Sequence, residues 1–483
     1  RDEAVYDGYH YSAIIRDDDP ALNTHSDQFK GWQYGQVYSK TAVMLYNLQY
    51  VLGDELFMAC LRNYFDQWKF CHPYFEDFRT SVIQYSGVDL NWFFDQWLET
   101  EKKIDYAIKS VHKNKEGGYE VSIKRKGEMQ MPIEFSAFDN DGAEYQYLIP
   151  NTWFVKKTDA KVLPRWLGWN DFNDTYVAKI SPERPISRIV IDPSKRLADV
   201  YHLNNQKPFP LKVRLDNMMY DRPSRDYEVE WRPSVWYNGY DGLKLGVEAK
   251  GSYQTIYNNF KAALWFSTGI GQQGNLVENQ NLINDYYRVQ YRIDYATPLR
   301  GISKQLSFVA ASRWIDGIAS NSIGYQKAFA NGKTSIKQTI NSLWRPYDQS
   351  LNYLLYPSQW NVNQWNNFIE TKVEHRYTYG KSSQGHITSR LRNPLFWSDY
   401  SYGFLNLEAV NDNRFSKFNW RTRCFAQLGL GENWAPESKL WASGANPEQM
   451  MQNPFIRSVG VIPVSAYGIG VGTSNFQSGG GLN

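Results

Sequence analysis

Residues 34–57 read YGQVYSKTAVMLYNLQYVLGDELF, and this stretch decides the fold of the first part of the chain. Its apolar residues recur at helical spacing, so a long helix is predicted over residues 42–52, opened by the triplet Tyr38-Ser39-Lys40. Gly53 ends that helix, and Asp54 is predicted to cap the N-terminus of the next one. The stretch therefore predicts two consecutive helices joined at a single glycine.

Two more helices are predicted downstream. Pro73 suits the first turn of a third helix, because the first turn leaves its amide hydrogens unused, and Gly87 ends that helix. A fourth helix is predicted to begin at Asp89 or Asn91 and to continue through an aromatic cluster. The links between these helices are short, so residues 1–104 are predicted to form one compact helical part.

The pattern changes to short strands over residues 105–206. Gly117-Gly118 and Asn140-Asp141-Gly142 are hairpin signals, and residues 186–191 form a clear apolar strand. About seven strands over about one hundred residues are typical of a small β-sandwich. The region around Trp166 is predicted to be an inserted loop.

Residues 207–483 carry longer strands with strict alternation between an apolar and a charged face. Such strands are predicted over residues 227–237, 243–250, 287–295, 369–377 and 420–428. They run to roughly 10 residues, whereas strands of soluble sheets usually have ~5–6. Length, period two and one charged face indicate a partial antiparallel β-barrel of the outer-membrane type, with about twelve strands. Residues 344–367 are predicted to be a long loop rich in Trp, Tyr, Asn and Gln on one rim.

A large soluble sheet with one wet face is the alternative for this third part. The recurrence of Arg, Glu and Lys on the same face of several strands favours the barrel. Residues 233–246 resemble the barrels of the surface-antigen type, in the outer-membrane assembly-factor superfamily. Residues 478–482, SGGGL, are similar to the start of the Gly-rich strand motif of that superfamily.

Composition excludes some classes of partner. The 483 residues carry a net charge of +3, and no dense run of Lys and Arg occurs, so nucleic acid is not expected as a partner. The 3 cysteines define no disulfide framework. No apolar run reaches the ~18 residues that a membrane helix needs. The chain starts without Met and stops within a strand pattern, so we interpret it as a segment of a longer protein.

Histidine spacing offers no metal motif in this sequence. None of the 7 histidines lies in an H-E-x-x-H motif or pairs with another at a spacing of three or four residues. His10 and His25 lie near acidic residues, for which a solvated loop is favoured over a metal site. The acidic residues are Asp17, Asp18, Asp19 and Asp27. His72 precedes Pro73 and is interpreted as part of a helix start.

The order of the first hundred residues resembles the second half of the catalytic domain of aminopeptidase N-like zinc metallopeptidases, the gluzincins. It matches in Tyr38-Ser39-Lys40, in Leu52-Gly53-Asp54-Glu55-Leu56-Phe57 and in Tyr64. The resemblance implies a multidomain α+β protein: the helical half of a thermolysin-like catalytic domain, then a β-sandwich, then the partial barrel. It also implies zinc held by an H-E-x-x-H motif and a downstream glutamate, which lie outside this sequence.

The same resemblance implies a role for Tyr38. In these enzymes a tyrosine in a Tyr-x-Lys-Gly context donates its hydroxyl to the tetrahedral oxyanion, and Thr41 stands here where glycine is usual. Lys40 is interpreted as an anchoring charge. A neutral phenol suits the donor role because it remains protonated at working pH. The alternative is that Tyr38 is a helix-face aromatic that packs on Trp32 or Tyr34.

Two functions follow as hypotheses. The first is a zinc-dependent peptidase, an aminopeptidase, tethered to an outer-membrane barrel, with peptides as substrates and membrane lipid around the barrel. The second is an outer-membrane transport or assembly barrel with a non-catalytic, peptidase-like binding module. A wholly soluble peptidase with a β-rich tail remains open. The barrel implies the envelope of a Gram-negative cell, with the peptidase part in the periplasm.

Overall fold

The chain forms two compact units. The first runs to Lys212 and includes Asp226 and Tyr227; the second comprises the other described residues from Val213 on. The computed structural model describes residues 2–16, 19–29, 33–115, 117–167, 171–216, 226–238, 242–271, 288–303, 305–315, 317–329, 332–346, 362–380, 383–415 and 418–439. The predicted motif at residues 478–482 lies outside these residues.

Five α-helices open the first unit. They are α1 Asp2–His10, α2 Tyr34–Leu52, α3 Asp54–Trp68, α4 Phe75–Ser86 and α5 Asn91–Glu99. Helix α2 begins at Tyr34, so the Tyr38-Ser39-Lys40 triplet lies inside the helix, and the prediction that it opens the helix is wrong. Gly53 has a φ of 81°, which ends α2 and caps α3, so Asp54 is the first helical residue and not the cap.

The starts of α4 and α5 differ in detail from the prediction. Pro73 lies before α4, whose N-cap is Tyr74; the backbone amide of Tyr74 donates to the Asp77 carboxylate at 2.8 Å. A side chain that reaches back to the cap supplies the start signal that proline was expected to give. Helix α5 begins at Asn91, whose amide donates to Asp89 at 3.1 Å. Gly87 ends α4 in the left-handed conformation, as predicted.

Two sheets complete the first unit. Their strands are β1 Tyr106–Lys113, β2 Tyr119–Arg125, β3 Ile133–Asp139, β4 Glu144–Ile149, β5 Lys161–Val162, β6 Thr175–Ile180, β7 Ile186–Ile191 and β8 Gln206–Lys207. A 3-stranded sheet has the order β1-β2-β6, and a 5-stranded sheet has the order β5-β4-β3-β7-β8. Trp166, in the predicted inserted loop, is buried against the rings of Tyr106 and Tyr176.

One hydrophobic core joins the helices to both sheets. Leu48 of α2 and Trp97 of α5 are fully buried in the same cluster as Ile123 of β2 and Ile133 of β3. The aromatic cluster of α5 belongs to this core, which explains its density of rings. The helical part and the sandwich therefore share one packing core.

The second unit is built on a 12-stranded antiparallel sheet in which each strand pairs with its neighbours in sequence, from β9 to β20. The strands are β9 Leu211–Leu215, β10 Tyr227–Asn238, β11 Gly242–Tyr253, β12 Tyr257–Ser267, β13 Val289–Pro298, β14 Leu306–Ile315, β15 Ile318–Phe329, β16 Thr334–Trp344, β17 Trp365–Tyr379, β18 Ser383–Pro394, β19 Ser401–Phe415 and β20 Phe418–Asn433. The sheet is not closed among the described residues.

The two faces of this sheet differ as the alternation predicts. One face exposes apolar side chains such as Ile293, Ile340 and Leu407, at 45%, 46% and 45% of their surface. The other face lines a cavity of about 720 Å³ with polar and charged side chains, from Lys261 on β12 to Arg423 on β20. A flat sheet would hold those two strands about 38 Å apart, at ~4.8 Å per strand, so the sheet curls around the cavity.

The predicted rim loop over residues 344–367 is shorter than expected. Strand β16 continues to Trp344, and β17 begins at Trp365; these two residues are cross-strand partners whose rings stack at 4.9 Å. Both ends of the predicted loop are therefore paired strand, and residues 347–361 lie outside the described part of the chain.

No described helix is long and apolar enough to cross a membrane.

Candidate functional site

Tyr38 lies on the second turn of α2 and points to solvent. Its surface is 74% exposed, and the neighbouring Val37 is 38% exposed. Because most of its side chain is exposed, Tyr38 does not pack as a core aromatic. Its exposure therefore gives no support to the alternative that it packs on Trp32 or Tyr34. Trp32 and the side chain of Tyr34, the proposed packing partners, lie outside the described residues. The Tyr38 hydroxyl is accessible to a substrate.

Lys40 occupies the opposite face of the same helix. Its Nζ lies 3.2 Å from Oδ1 of Asp19 and donates a hydrogen bond of 2.8 Å to the carbonyl oxygen of Pro20. The side chains of Lys40 and Asp19 are 0% and 1% exposed. Two residues along an α-helix turn a side chain by about 200°, so the burial of Lys40 directs Tyr38 outward.

The Asp19–Lys40 pair is a buried ion pair. Burial raises the pKa of Asp19 and lowers the pKa of Lys40, while the attraction between the two opposes both shifts. A buried pair of this kind resists the loss of either partner, because the remaining charge would stay in a low-dielectric site. The geometry supports the anchoring role predicted for Lys40. It also corrects the grouping of Asp19 with His10 and His25.

The close approach of α1 holds Ser39, the middle residue of the triplet. A Cβ built on Gly8 of α1 would lie only 2.7 Å from Oγ of Ser39, so the two helices touch where Gly8 has no side chain. Ser39 and Lys40 thus face packed neighbours, and Tyr38 does not. In this triplet the phenol of Tyr38 therefore faces solvent, while Ser39 contacts α1 and Lys40 pairs with Asp19.

The histidines do not form a metal site. His10 is 2% exposed within α1, and its ring meets the ring of His202 edge-on at 5.2 Å, so the predicted solvated loop is wrong for this residue. His25 is exposed, and its Nδ1 accepts a hydrogen bond of 3.3 Å from the amide of Asp27. Asp17 and Asp18 lie outside the described residues. Within the described ranges, no group of three His, Cys, Asp or Glu residues could hold a metal, so none of these residues would hold the zinc whose ligands the resemblance places outside this sequence.

Asp199 is a second buried polar residue, and no motif in the sequence pointed to it. Its Oδ2 accepts from the amide of Tyr106 and its Oδ1 from the amide of Tyr201, each at 2.8 Å. Burial raises the pKa of Asp199, and the nearby Asp105 raises it further. Asp105 in turn accepts a hydrogen bond of 2.8 Å from the Asn204 side chain. Because 94 residues separate these carboxyls along the chain, no sequence spacing could have predicted the pair.

Comparison with known families bears on the segment that carries Tyr38 and Lys40. Residues 9–97 match the model of the peptidase family M1 domain. This M1 segment contains α2 to α4, most of α5 and both residues of the Tyr-x-Lys spacing. The match supports a relation to the M1 aminopeptidases and a peptidase function in general. No curated protein matches the chain.

Proposed function

We propose that the protein containing this chain is a zinc-dependent aminopeptidase in which Tyr38 stabilises the tetrahedral oxyanion. The match of the M1 segment supports hydrolysis of peptide bonds. The observation that carries the proposal is the 74% exposed phenol on a helix whose opposite face is anchored by a buried ion pair. Bound zinc would activate water and polarise the scissile carbonyl.

The role of Tyr38 follows from its chemistry and setting. A hydrolysed peptide carbonyl develops negative charge on its oxygen, and a neutral O–H donor held in place stabilises that charge. Lys40 cannot supply the donor, because its Nζ is buried against Asp19 and Pro20. Thr41 stands in place of the usual glycine and continues α2 without interruption. Within the Tyr38-Ser39-Lys40 triplet, Tyr38 is thus the residue that turns its donor to solvent.

The test is Tyr38→Phe in the full-length protein, with an aminoacyl 4-nitroanilide as substrate. Loss of one oxyanion donor typically lowers kcat by ~10²–10³, with little change in KM when the donor acts only in the transition state. Tyr85→Phe is the matched control, because Tyr85 is also solvent-exposed, at 50%, but lies on α4. Near-normal kcat for Tyr38→Phe would refute the assignment.

We also propose that the second unit is a partial outer-membrane-type barrel in a Gram-negative envelope, with the peptidase part in the periplasm. Its support is the curled 12-stranded sheet, with strands of up to 16 residues, an exposed apolar face and a charged inner face. Lipid would cover the apolar face. Recovery of the protein from the outer-membrane fraction only with detergent tests this location, and release by buffer alone would contradict it.

The second candidate is an assembly or transport barrel with a non-catalytic peptidase-like module. Thr41 at the usual glycine position is the observation that favours it. Hydrolysis of peptides by the full-length protein, abolished by zinc chelation and restored by zinc, decides for the enzyme. Binding of peptides without turnover decides for the module.

A further inference from the structure

The charged face of the 12-stranded sheet carries a row of three cations on adjacent strands. Lys337 of β16 is the cross-strand partner of Lys372 of β17, and Lys372 is the partner of Arg390 of β18. Directly opposite residues have Cβ atoms about 5 Å apart, and like charges at that spacing destabilise a sheet. All three side chains line the cavity of about 720 Å³.

Glu370, the carboxylate next to the row on one side, already forms an ion pair with Arg392, which is not part of the row. Glu370 Oε2 accepts from Nε and the second terminal nitrogen of Arg392 at 3.0 and 2.5 Å. Arg392 is fully buried, with its guanidinium 3.9 Å from the centre of the Phe368 ring. Arg390 reaches Glu370 only at 3.8 Å. Glu370 therefore neutralises Arg392 and leaves Arg390 weakly compensated.

The carboxylate on the other side is shared as well. Glu374 accepts from Lys372 at 3.1 Å and from Arg376 at 2.8 Å. Among the described residues, Lys337 forms no ion pair with a carboxylate. Among the described side chains that line the cavity, eight carry a positive charge and four carry a negative charge, namely Asp294, Glu370, Glu408 and Glu437.

The same imbalance recurs further along the cavity wall. Arg292 and Arg313 share a single carboxylate, that of Asp294, at 2.6 and 2.5 Å. Arg423 has its own partner, Glu408, at 2.7 Å. The excess of positive charge is therefore concentrated on strands β13 to β18, around one cavity.

We propose that this cavity binds a small anion with two or more negative charges, held by Lys337, Lys372 and Arg390. Such an anion removes the repulsion within the row and meets a planar guanidinium beside two ammonium groups. Inorganic phosphate and short acidic peptides share this chemistry. The proposal does not rest on peptide hydrolysis, because every residue in it belongs to the second unit.

A hydrated basic row without a bound ligand is the competing interpretation, since water solvates charges on the inner face of large barrels. The two differ in how they respond to salt. A hydrated row is screened equally by all salts at the same ionic strength, whereas a site prefers a multivalent anion to chloride.

The experiment is calorimetric titration of the detergent-solubilised protein with inorganic phosphate at constant ionic strength, and separately with triglutamate. Saturable binding of at least one of the two anions is expected. Binding of phosphate alone identifies the ligand class as a phosphate, and binding of triglutamate alone identifies it as an acidic peptide. Lys337→Gln and Arg390→Gln are each expected to weaken binding about tenfold, which is ~1.4 kcal/mol. Lys333→Gln, an exposed lysine in the turn before β16, serves as the matched control.

Two results would overturn the site: no saturable heat with either anion, or equal weakening by Lys333→Gln. If a cavity variant fails to fold, the melting temperature of the unmodified protein decides. A Tm that rises and saturates at low phosphate concentrations, with sodium chloride keeping the ionic strength constant, supports the site, because the general stabilisation by phosphate salts needs high concentrations and does not saturate. An equal Tm in the two salts contradicts it.

Discussion

At the scale of single residues, Asp19 and Lys40 determine how α2 presents Tyr38. Asp19→Asn would leave the Lys40 ammonium buried without a counterion, so we expect the free energy of unfolding to fall by about 3–5 kcal/mol. The double variant Asp19→Leu with Lys40→Met removes both charges and should cost less than Asp19→Asn alone. Urea unfolding followed by tryptophan fluorescence measures both. Equal losses of unfolding free energy in Asp19→Asn and in the double variant would show that an unpaired buried charge does not contribute to the loss.

Asp192 gives a pH-dependent prediction. It is buried, accepts hydrogen bonds from Ser194 and from the amide of Leu197, each at 2.6 Å, and burial raises its pKa to about 6. A folded-state pKa above the unfolded value of 3.8 means that the protonated form favours the folded state. Its contribution to stability is therefore complete below about pH 4 and is lost as the pH rises through about 6.

Asp192→Asn should flatten this dependence. The wild-type free energy of unfolding is expected to fall by roughly 3 kcal/mol more than that of the variant between pH 4 and pH 7, at 1.36 kcal/mol per pKa unit. Urea unfolding at several pH values within this window provides the comparison. Parallel curves for the two proteins would contradict the raised pKa of Asp192.

The resemblance to the peptidase family, and not spacing, pointed to Tyr38 and Lys40. Once both residues lie on one helix, their separation of two residues places them on opposite faces. Sequence could not identify Asp19 as the partner of Lys40, because the contact joins residues 21 positions apart through a loop. Asp105 and Asp199 meet only through the tertiary fold. His10 was misjudged because its acidic neighbours in sequence are not its neighbours in space.

At the scale of elements, alternation along the strands predicted the faces of the second sheet well. Period two assigns every second residue to one face, whatever the tertiary fold. Helix starts were less predictable: α2 begins at Tyr34 because nothing between Tyr34 and Ala42 interrupts a helix strongly enough to delay it. The curl of the sheet was not readable from alternation, because it depends on how successive strands twist.

Strand β16 offers a test of the proposal that lipid covers the apolar face of the 12-stranded sheet. Ile340 is 46% exposed on the apolar face, next to its cross-strand partners Ile323 and Ile369. Ile340→Arg should lower the free energy of unfolding in lipid vesicles by ~2–4 kcal/mol if this face meets the bilayer midplane. Asn341→Glu, one residue on but facing the cavity, is the control for an added charge and should change stability little, because the cavity wall holds an excess of cations. Tolerance of Ile340→Arg would argue against lipid contact.

At the scale of the whole molecule, the shared core of the first unit has a consequence for folding. Trp97 is 0% exposed and belongs to the cluster that joins helices and both sheets. Trp97→Ala should therefore destabilise the helices and the sheets together, by about 3–5 kcal/mol. Hydrogen exchange in α2 and in β3, read residue by residue, should report the same loss. A loss confined to the helices would show that they fold independently of the sheets.

The neighbour-to-neighbour order of the 12-stranded sheet has an evolutionary consequence. Each inner strand hydrogen-bonds to the strands that precede and follow it in sequence. A pair of consecutive strands can therefore be lost from the sheet without a change in the order of the remaining strands. Duplication or deletion of one hairpin in the gene would change the width of the sheet by two strands and preserve the register of the others. The breadth of this unit can therefore drift among relatives while the residues of each remaining pair stay the same.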